Sequence, residues 1–205
     1  MRVIDIETWS RKQLFQHFMG LNDPSFAVTF EVEVAKAYEF SKSNTVAFFG
    51  RYLHDCMRAI NDIENFKFRI QGDNVVMYDV IHASATIARP DNSFGFSFIP
   101  FNDDLKLFLK NLHKEKERIQ KSNELYPPLN GNDCIHCSAL PWLPFTSHKE
   151  PVSGKMESIP EVAFSKVISN NGRLTMNVSV KVKHALVDGY HVGQFYEKFQ
   201  YFLNE

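Results

Sequence analysis

The chain has 205 residues, 44% of them hydrophobic and 23% charged, with a formal net charge of -1. That balance fits an ordinary globular protein and removes the electrostatic case for nucleic acid or an anionic membrane as a partner. No apolar run reaches transmembrane length, the N-terminus carries charges where a signal peptide needs an apolar stretch, and the three cysteines cannot all pair. These features predict a cytoplasmic protein of one domain spanning residues 1–205. Its 19 phenylalanines predict a large aromatic interior, a pocket or a subunit interface.

In chain order, Ser10 and Gln13 have capping-box spacing and predict a helix from Arg11 to about Met19, stopping at Gly20. FAVTFEVEV then alternates, with Phe26, Val28, Phe30, Val32 and Val34 on one face, as in a strand with one buried side. A helix is expected from about Thr45 to Asp62. FKFRI and VVMYDV flank QGDN as a hairpin, and HASATIA and FGFSFIPF read as further strands.

Asn102 or Asp103 should cap a long helix that runs through Phe108, Leu112 and Ile119, with a solvated charged face at residues 114–118. CIHCSAL, a proline-rich loop, EVAFSKVIS, an Asn-Asn-Gly turn and RLTMNVSVKVKH give the last strands. A helix carrying Val192, Phe195, Phe199, Phe202 and Leu203 closes the chain. Strands and helices interleave with hairpins among them, so the class is mixed α/β, with a mainly antiparallel or mixed sheet.

Two motifs invite chemistry. CIHC, residues 134 to 137, has no second cysteine pair, and strand alternation would send its two thiols to opposite faces, so neither metal nor redox chemistry is expected there. KVKHALVDGYHV, residues 181 to 192, ends a strand whose parity puts His184 with Leu174, Met176, Val178, Val180 and Val182, and Lys183 on the other side. An imidazole desolvated at a strand end favours the neutral form that can take a proton. Asp188 could orient that ring, cap the following helix or bind an arginine, and Gly189 permits a turn that a side chain would obstruct. His54, His82 and His113 have no evident partners, and His191 reads as structural.

The segment HALVDGYHV resembles the HxxxDG signature of the chloramphenicol acetyltransferase family, usually HHAxxDGxH. SALPW, residues 138 to 142, is similar to the family segment that supplies an oxyanion-stabilising serine. TWSRKQLFQHF, residues 8 to 18, is similar to its W-x-R…F segment, and the three occur in the family's order.

The resemblance implies a CoA-dependent acyltransferase fold, an α+β two-layer sandwich in which helices cover a mixed β-sheet. It implies transfer of an acetyl group from acetyl-CoA to the hydroxyl of a small molecule, without a covalent acyl-enzyme and without a metal. His184 would be the general base and Ser138 the oxyanion donor, with Asp188 and Arg11 paired in structural support. The protein would be a homotrimer with active sites between subunits.

By position the acceptor pocket would include His17, Phe18, Asn22, Phe26, His148, Glu150 and Ala163. Several of these are apolar or aromatic in antibiotic-acetylating members, so a more polar acceptor than chloramphenicol is expected. Lys183 stands where the family usually has a second histidine. That change and Ala163 leave a second expectation open, a non-catalytic small-molecule-binding protein on the same scaffold. Between about Thr45 and Phe101 the likeness is loose, and no coenzyme contacts follow from it.

Overall fold

The computed structural model describes residues 1–151 and 158–205; part of the proline-rich loop, 152–157, lies outside the described residues. The strands are β1 (Arg2–Ile4), β2 (Ser25–Glu33), β3 (Phe68–Gln71), β4 (Asn74–Met77), β5 (His82–Ala88), β6 (Phe94–Phe96), β7 (Cys134–Leu140), β8 (Glu161–Ser165), β9 (Ile168–Asn170) and β10 (Arg173–Lys183). The helices are α1 (Lys12–Met19), α2 (Ala35–Ser43), α3 (Phe48–Asn61), α4 (Leu105–Gln120) and α5 (Gly189–Leu203).

The main sheet runs β2-β10-β8-β7-β5-β6, with β9 also paired to β10. Its centre is parallel (β5 to β7, β7 to β8) and its flanks are antiparallel. A smaller antiparallel sheet, β1-β4-β3, stands beside it. The fold class is therefore mixed α/β with a mixed sheet and helices.

β10 organises the core. Met176, Val178, Val180 and Val182 are nearly inaccessible, as period-2 alternation requires of the face beneath the helices. Against them lie Leu53, Met57 and Ile60 of α3 and Phe195 and Phe199 of α5, all in one hydrophobic cluster. Phe195 and Phe199 stack at 5.6 Å, and Phe66 and Phe164 meet them at 5.6 and 6.2 Å. Much of the phenylalanine excess is spent in this interior. The last turn before β10 is a two-residue loop, Asn171 and Gly172, both at positive φ (48° and 80°). Asparagine and glycine adopt that twist readily, so the Asn-Asn-Gly signal fixes the register.

Several expectations change. The Ser10–Gln13 capping box does not form: Arg11 occupies the N-cap of α1 without a side-chain cap, and the chain enters through a turn closed by Lys12 N donating to Trp9 O at 2.9 Å. Asp104, not Asn102 or Asp103, caps α4 by accepting from the amides of Lys106 and Leu107. The helix expected from Thr45 starts at Phe48 and is preceded by α2, which its polar surface hid. EVAFSKVIS breaks into β8 and β9, and FGFSFIPF keeps a strand only at Phe94–Phe96.

On β2 the apolar face is buried only at its C-terminal end. Val28 is exposed because this is an edge strand, covered by α5 where Phe30 meets Phe195 and Tyr196. Cys134 and Cys137, expected on opposite sides of the sheet, are both buried free thiols: Cys137 belongs to the helix-covered core, and Cys134 is covered where Arg69 donates to its carbonyl. Burial pushes the Cys134 thiol up to about 12 and raises the Cys137 thiol as well. Among the described residues no group of three or more His, Cys, Asp or Glu is disposed to hold a metal ion. Among the described residues no helix is long and apolar enough to cross a membrane.

The junction between the two sheets rests on Arg69, a fully buried arginine whose acceptors are all backbone carbonyls. Its guanidinium donates to Phe66 O and Phe68 O, to Asn132 O and to Cys134 O. Burial lowers its pKa to about 10, which still leaves it charged at neutral pH. Arg69→Met should cost about 3 kcal/mol or more, since several buried carbonyls lose their donor at roughly 1–3 kcal/mol each. A lowered urea midpoint with an unchanged denaturant slope would show this loss.

Candidate active site

His184 follows the last residue of β10, and its amide donates to Pro24 O at 2.7 Å, which holds the strand end against the segment entering β2. The imidazole stacks on Phe18 of α1, with centroids 3.8 Å apart and planes 9° from parallel. Phe26 closes a second side at 4.6 Å. Nδ1 is enclosed without a hydrogen bond, and Asp188 Oδ1 lies 3.3 Å away. The side chain keeps 34% of its accessibility in the single chain, so one part of the ring faces outward.

Of its three possible uses, Asp188 makes hydrogen bonds to the arginine and stands near the His184 ring without a bond to Nδ1. It sits at the N-cap of α5, faces the His184 ring, and binds Arg11 through two bonds, Nη1 to Oδ2 at 2.6 Å and Nη2 to Oδ1 at 2.9 Å. Arg11 Nη2 also reaches His184 O at 3.4 Å. The hydrogen bonds from Arg11 hold the Asp188 carboxyl below its ordinary value of 3.8. His191 Nδ1 accepts from the Asp188 amide at 3.0 Å, and burial lowers the pKa of this imidazole below 6.5. A Cβ at Gly189 would meet nothing within 4 Å, so the steric need expected for that glycine is absent within one chain.

Ser138 belongs to a different place. It lies on β7 in register with Ala163 of β8, which is in register with Ser179 of β10. Register partners share a face, so Ser138 looks out on the odd-numbered face of β10, opposite the core. His184 lies five residues beyond Ser179. With two strand spacings and a rise of about 3.3 Å per residue, His184 and Ser138 are roughly 19 Å apart in one chain, on opposite faces of the sheet.

The remaining sequence candidates divide in the same way. Phe18 and Phe26 touch the imidazole, His17 adjoins Phe18 edge-on at 5.0 Å and is exposed, and Asn22 is exposed in the turn after α1. His148, Glu150 and Ala163 line a cleft together with Glu161, Ser179 and Lys181, on the Ser138 side. Lys181 Nζ donates to both carboxylate oxygens of Glu161 at 3.0 and 3.1 Å, and His148 Nε2 faces Glu150 Oε1 at 3.5 Å.

Glu161, Ser179 and Lys181 were not singled out from the sequence. For Ser179 and Lys181 the signal was present in β10, whose odd positions are polar throughout. The histidines that lacked evident partners have them. His54 Nε2 contacts the carbonyls of Asn102 and Asp103, His82 Nδ1 accepts from Phe101 N, and His113 faces Glu117 one turn on.

A family model described as chloramphenicol acetyltransferase matches residues 1–200. The chain belongs to the chloramphenicol acetyltransferase family, a family of acyltransferases. Similar curated relatives include the chloramphenicol acetyltransferase of Bacillus pumilus, 26% identical over 200 residues covering 96% of this chain and 91% of that one. Chloramphenicol acetyltransferase 3 of Escherichia coli is 23% identical and covers 98% and 95%. A solved chloramphenicol acetyltransferase superposes with a TM-score of 0.90 at 30% identity, covering 98% of this chain and 99% of that chain. The cubic core of the pyruvate dehydrogenase multienzyme complex shares the fold, with a TM-score of 0.68 at 15% identity over 94% of this chain and 86% of that one.

The pair of Asp188 with Arg11 has a pH signature. A carboxyl whose folded pKa lies below its unfolded value adds stability above the unfolded value, and that stability is lost as pH falls through the folded pKa. The ordinary value is 3.8, so the contribution is complete by about pH 5 and fades below about pH 4. Asp188→Asn should therefore lose less stability than wild type between pH 5 and pH 3, measured by chemical denaturation across that range. Equal losses in both proteins would deny the pair this role.

Proposed function

We propose that the protein transfers the acetyl group of acetyl-CoA directly to a hydroxyl of a small molecule, in an active site made of two half-sites from neighbouring subunits. One subunit supplies His184 as general base. The next supplies Ser138 as oxyanion donor, with the acceptor cleft beside it. The observation that carries this reading is the setting of the His184 ring, which is fixed by Phe18 and Phe26 and turns an enclosed Nδ1 toward a carboxylate.

A nitrogen enclosed beside a carboxylate keeps its proton, which leaves Nε2 as the basic lone pair. Nε2 takes the proton of the acceptor hydroxyl as that oxygen attacks the thioester carbon. The carbonyl oxygen becomes an oxyanion that accepts a hydrogen bond from the Ser138 hydroxyl. Collapse of the adduct breaks the carbon–sulfur bond, and the proton on Nε2 passes to the departing thiolate. No acyl-enzyme forms. Asp188 is already bound twice by Arg11, which makes it a positioning group for the ring rather than a proton carrier.

The roughly 19 Å between His184 and Ser138 in one chain supports a site shared between subunits, as does the exposure of part of the ring. A cyclic trimer closes such head-to-tail contacts without leaving an open end. The charged cleft near Ser138 supports an acceptor more polar than an aromatic drug. An apolar ring set against these charged groups would strip their remaining water without offering hydrogen bonds in return.

A thiol-release assay with acetyl-CoA and hydroxylated acceptors tests the chemistry. His184→Ala should abolish turnover, and Ser138→Ala should lower kcat about 10²–10³-fold. The two inactive variants, unfolded and reassembled together at equal amounts, should recover activity at about one quarter of sites if base and serine come from different subunits of a ring. Ligand affinity without any release of coenzyme A would favour the binding-protein reading, and the absence of recovery in the mixture would place both groups in one subunit.

A further inference from the structure

The cleft beside Ser138 holds charges that stability does not ask for. The Glu161 and Lys181 side chains keep only 15% and 20% of their accessibility, in register on adjacent strands in the middle of the sheet. Desolvating an ion pair offsets most of its attraction, and an apolar pair of similar volume is often as stable or more so.

The pair also continues a file of polar side chains. Ser84 is in register with His136, His136 with Glu161, and Glu161 with Lys181, each about 4.8 Å from the next. One row along, Ser138, Ala163 and Ser179 form a parallel file. Ala163 is a small side chain beside Ser138, and Ser179 is 4% exposed.

The pair closes on itself. Lys181 Nζ spans both oxygens of Glu161, and His148 stands against Glu150. The lining therefore presents acceptors and donors side by side: Glu161 is balanced by Lys181, and Glu150 stands beside His148, which offsets its charge only when protonated. A carboxylate accepts from neighbouring hydroxyls, an ammonium donates to their oxygens, and together they match groups that are both donor and acceptor. A strongly cationic or anionic ligand would have to break the pair and strand one partner.

We propose that Glu161 and Lys181 determine acceptor specificity, and that the acceptor is a neutral, sugar-like polyol read through adjacent hydroxyls, one of which is acetylated. This rests on the transferase reading above for where the acceptor lies. Glu161 and Lys181 take no part in moving the proton. They bind and orient.

The test measures kcat/KM of the full-length enzyme with acetyl-CoA and four acceptors: a neutral methyl hexoside, an amino sugar, a uronic acid and chloramphenicol. Calorimetric binding of the same four compounds to the His184→Ala protein runs beside it. The neutral hexoside should exceed each of the others by at least about tenfold in kcat/KM, and should bind His184→Ala in the same order. Replacing the ion pair by an apolar one (Glu161→Leu with Lys181→Met) should lower hexoside kcat/KM by about 10²-fold or more and shift the hexoside-to-chloramphenicol ratio at least tenfold toward the drug, in a protein whose melting and size match wild type.

A wild-type preference for chloramphenicol or for either charged sugar overturns the proposal. So does a parallel fall for all acceptors in the double variant. If the double variant no longer assembles, Glu161→Gln, which keeps the shape, is measured in its place, and the absence of the tenfold ratio shift in that variant overturns the proposal. If no acceptor releases coenzyme A but the hexoside binds His184→Ala and the double substitution removes that binding, the transferase reading falls and the polyol site remains. Absence of both turnover and hexoside binding refutes both.

Discussion

The site depends on one ion pair. Arg11 and Asp188 stand 177 positions apart in the chain, and their double hydrogen bond brings the start of α1 to the start of α5. Phe18 rides on α1 and His184 on the end of β10, so the pair also sets the stacking of one on the other. A planar fork suits this task better than an ammonium: one arginine binds both carboxylate oxygens and reaches the His184 carbonyl with the same group. The packing has a cost, since Arg11 Nε and His184 Nδ1 are enclosed without hydrogen-bond partners. Such groups persist where surrounding structure over-determines them, and here two aromatic rings and a fixed carboxylate do so.

The second constraint is that β10 serves two masters. Its even positions are core, and their hydrophobic burial holds α3 and α5 in place. Its odd positions (Thr175, Asn177, Ser179, Lys181 and Lys183) face the other side, where the register of β8 and β7 brings Ala163, Glu161 and Ser138 alongside. A one-residue slip would exchange the two faces and bury a lysine beneath the helices. The Asn171–Gly172 turn and the antiparallel register of β10 with β2 guard against that slip, so the turn chemistry far from the site protects its composition.

Much of this was legible in the sequence because it depends on local periodicity. The alternation in RLTMNVSVKVKH gave the two faces of β10, and Val192, Phe195, Phe199, Phe202 and Leu203 gave the buried stripe of α5, all five of which are buried. The family signature brought Arg11 to Asp188, a contact that no local pattern could supply.

What escaped the sequence was set by tertiary competition. Arg11 displaced the Ser10–Gln13 capping box, and Asn102 spent its side chain on the Asp104 amide instead of capping α4. Cys134 and Cys137 followed alternation, yet both thiols are buried, one in the helix-covered core and the other beside the buried Arg69. Lys181 was visible as polar and unremarkable; only its register with Glu161 makes it one wall of a cleft, and register between distant strands is not written in either strand alone.

These two features explain why one chain is not a complete catalyst on the proposed reading. The base stands at the end of β10 on the helix side, while the serine and the charged cleft stand on the opposite face, two strands away. No side-chain rotation carries either through the sheet. A second copy can bring its imidazole to the cleft, and a contact between unlike surfaces closes only as a ring. On the proposed reading closure would also supply the dry environment that the chemistry needs: the open side of the His184 ring and the open side of the Glu161–Lys181 cleft would become the two walls of one enclosed space. In that space the hydrogen bonds of Ser138 and of the ion pair gain strength as water leaves. Assembly, desolvation and acceptor recognition are then one event, and the ring orientation fixed by Arg11 and Asp188 is what that event requires of each chain beforehand.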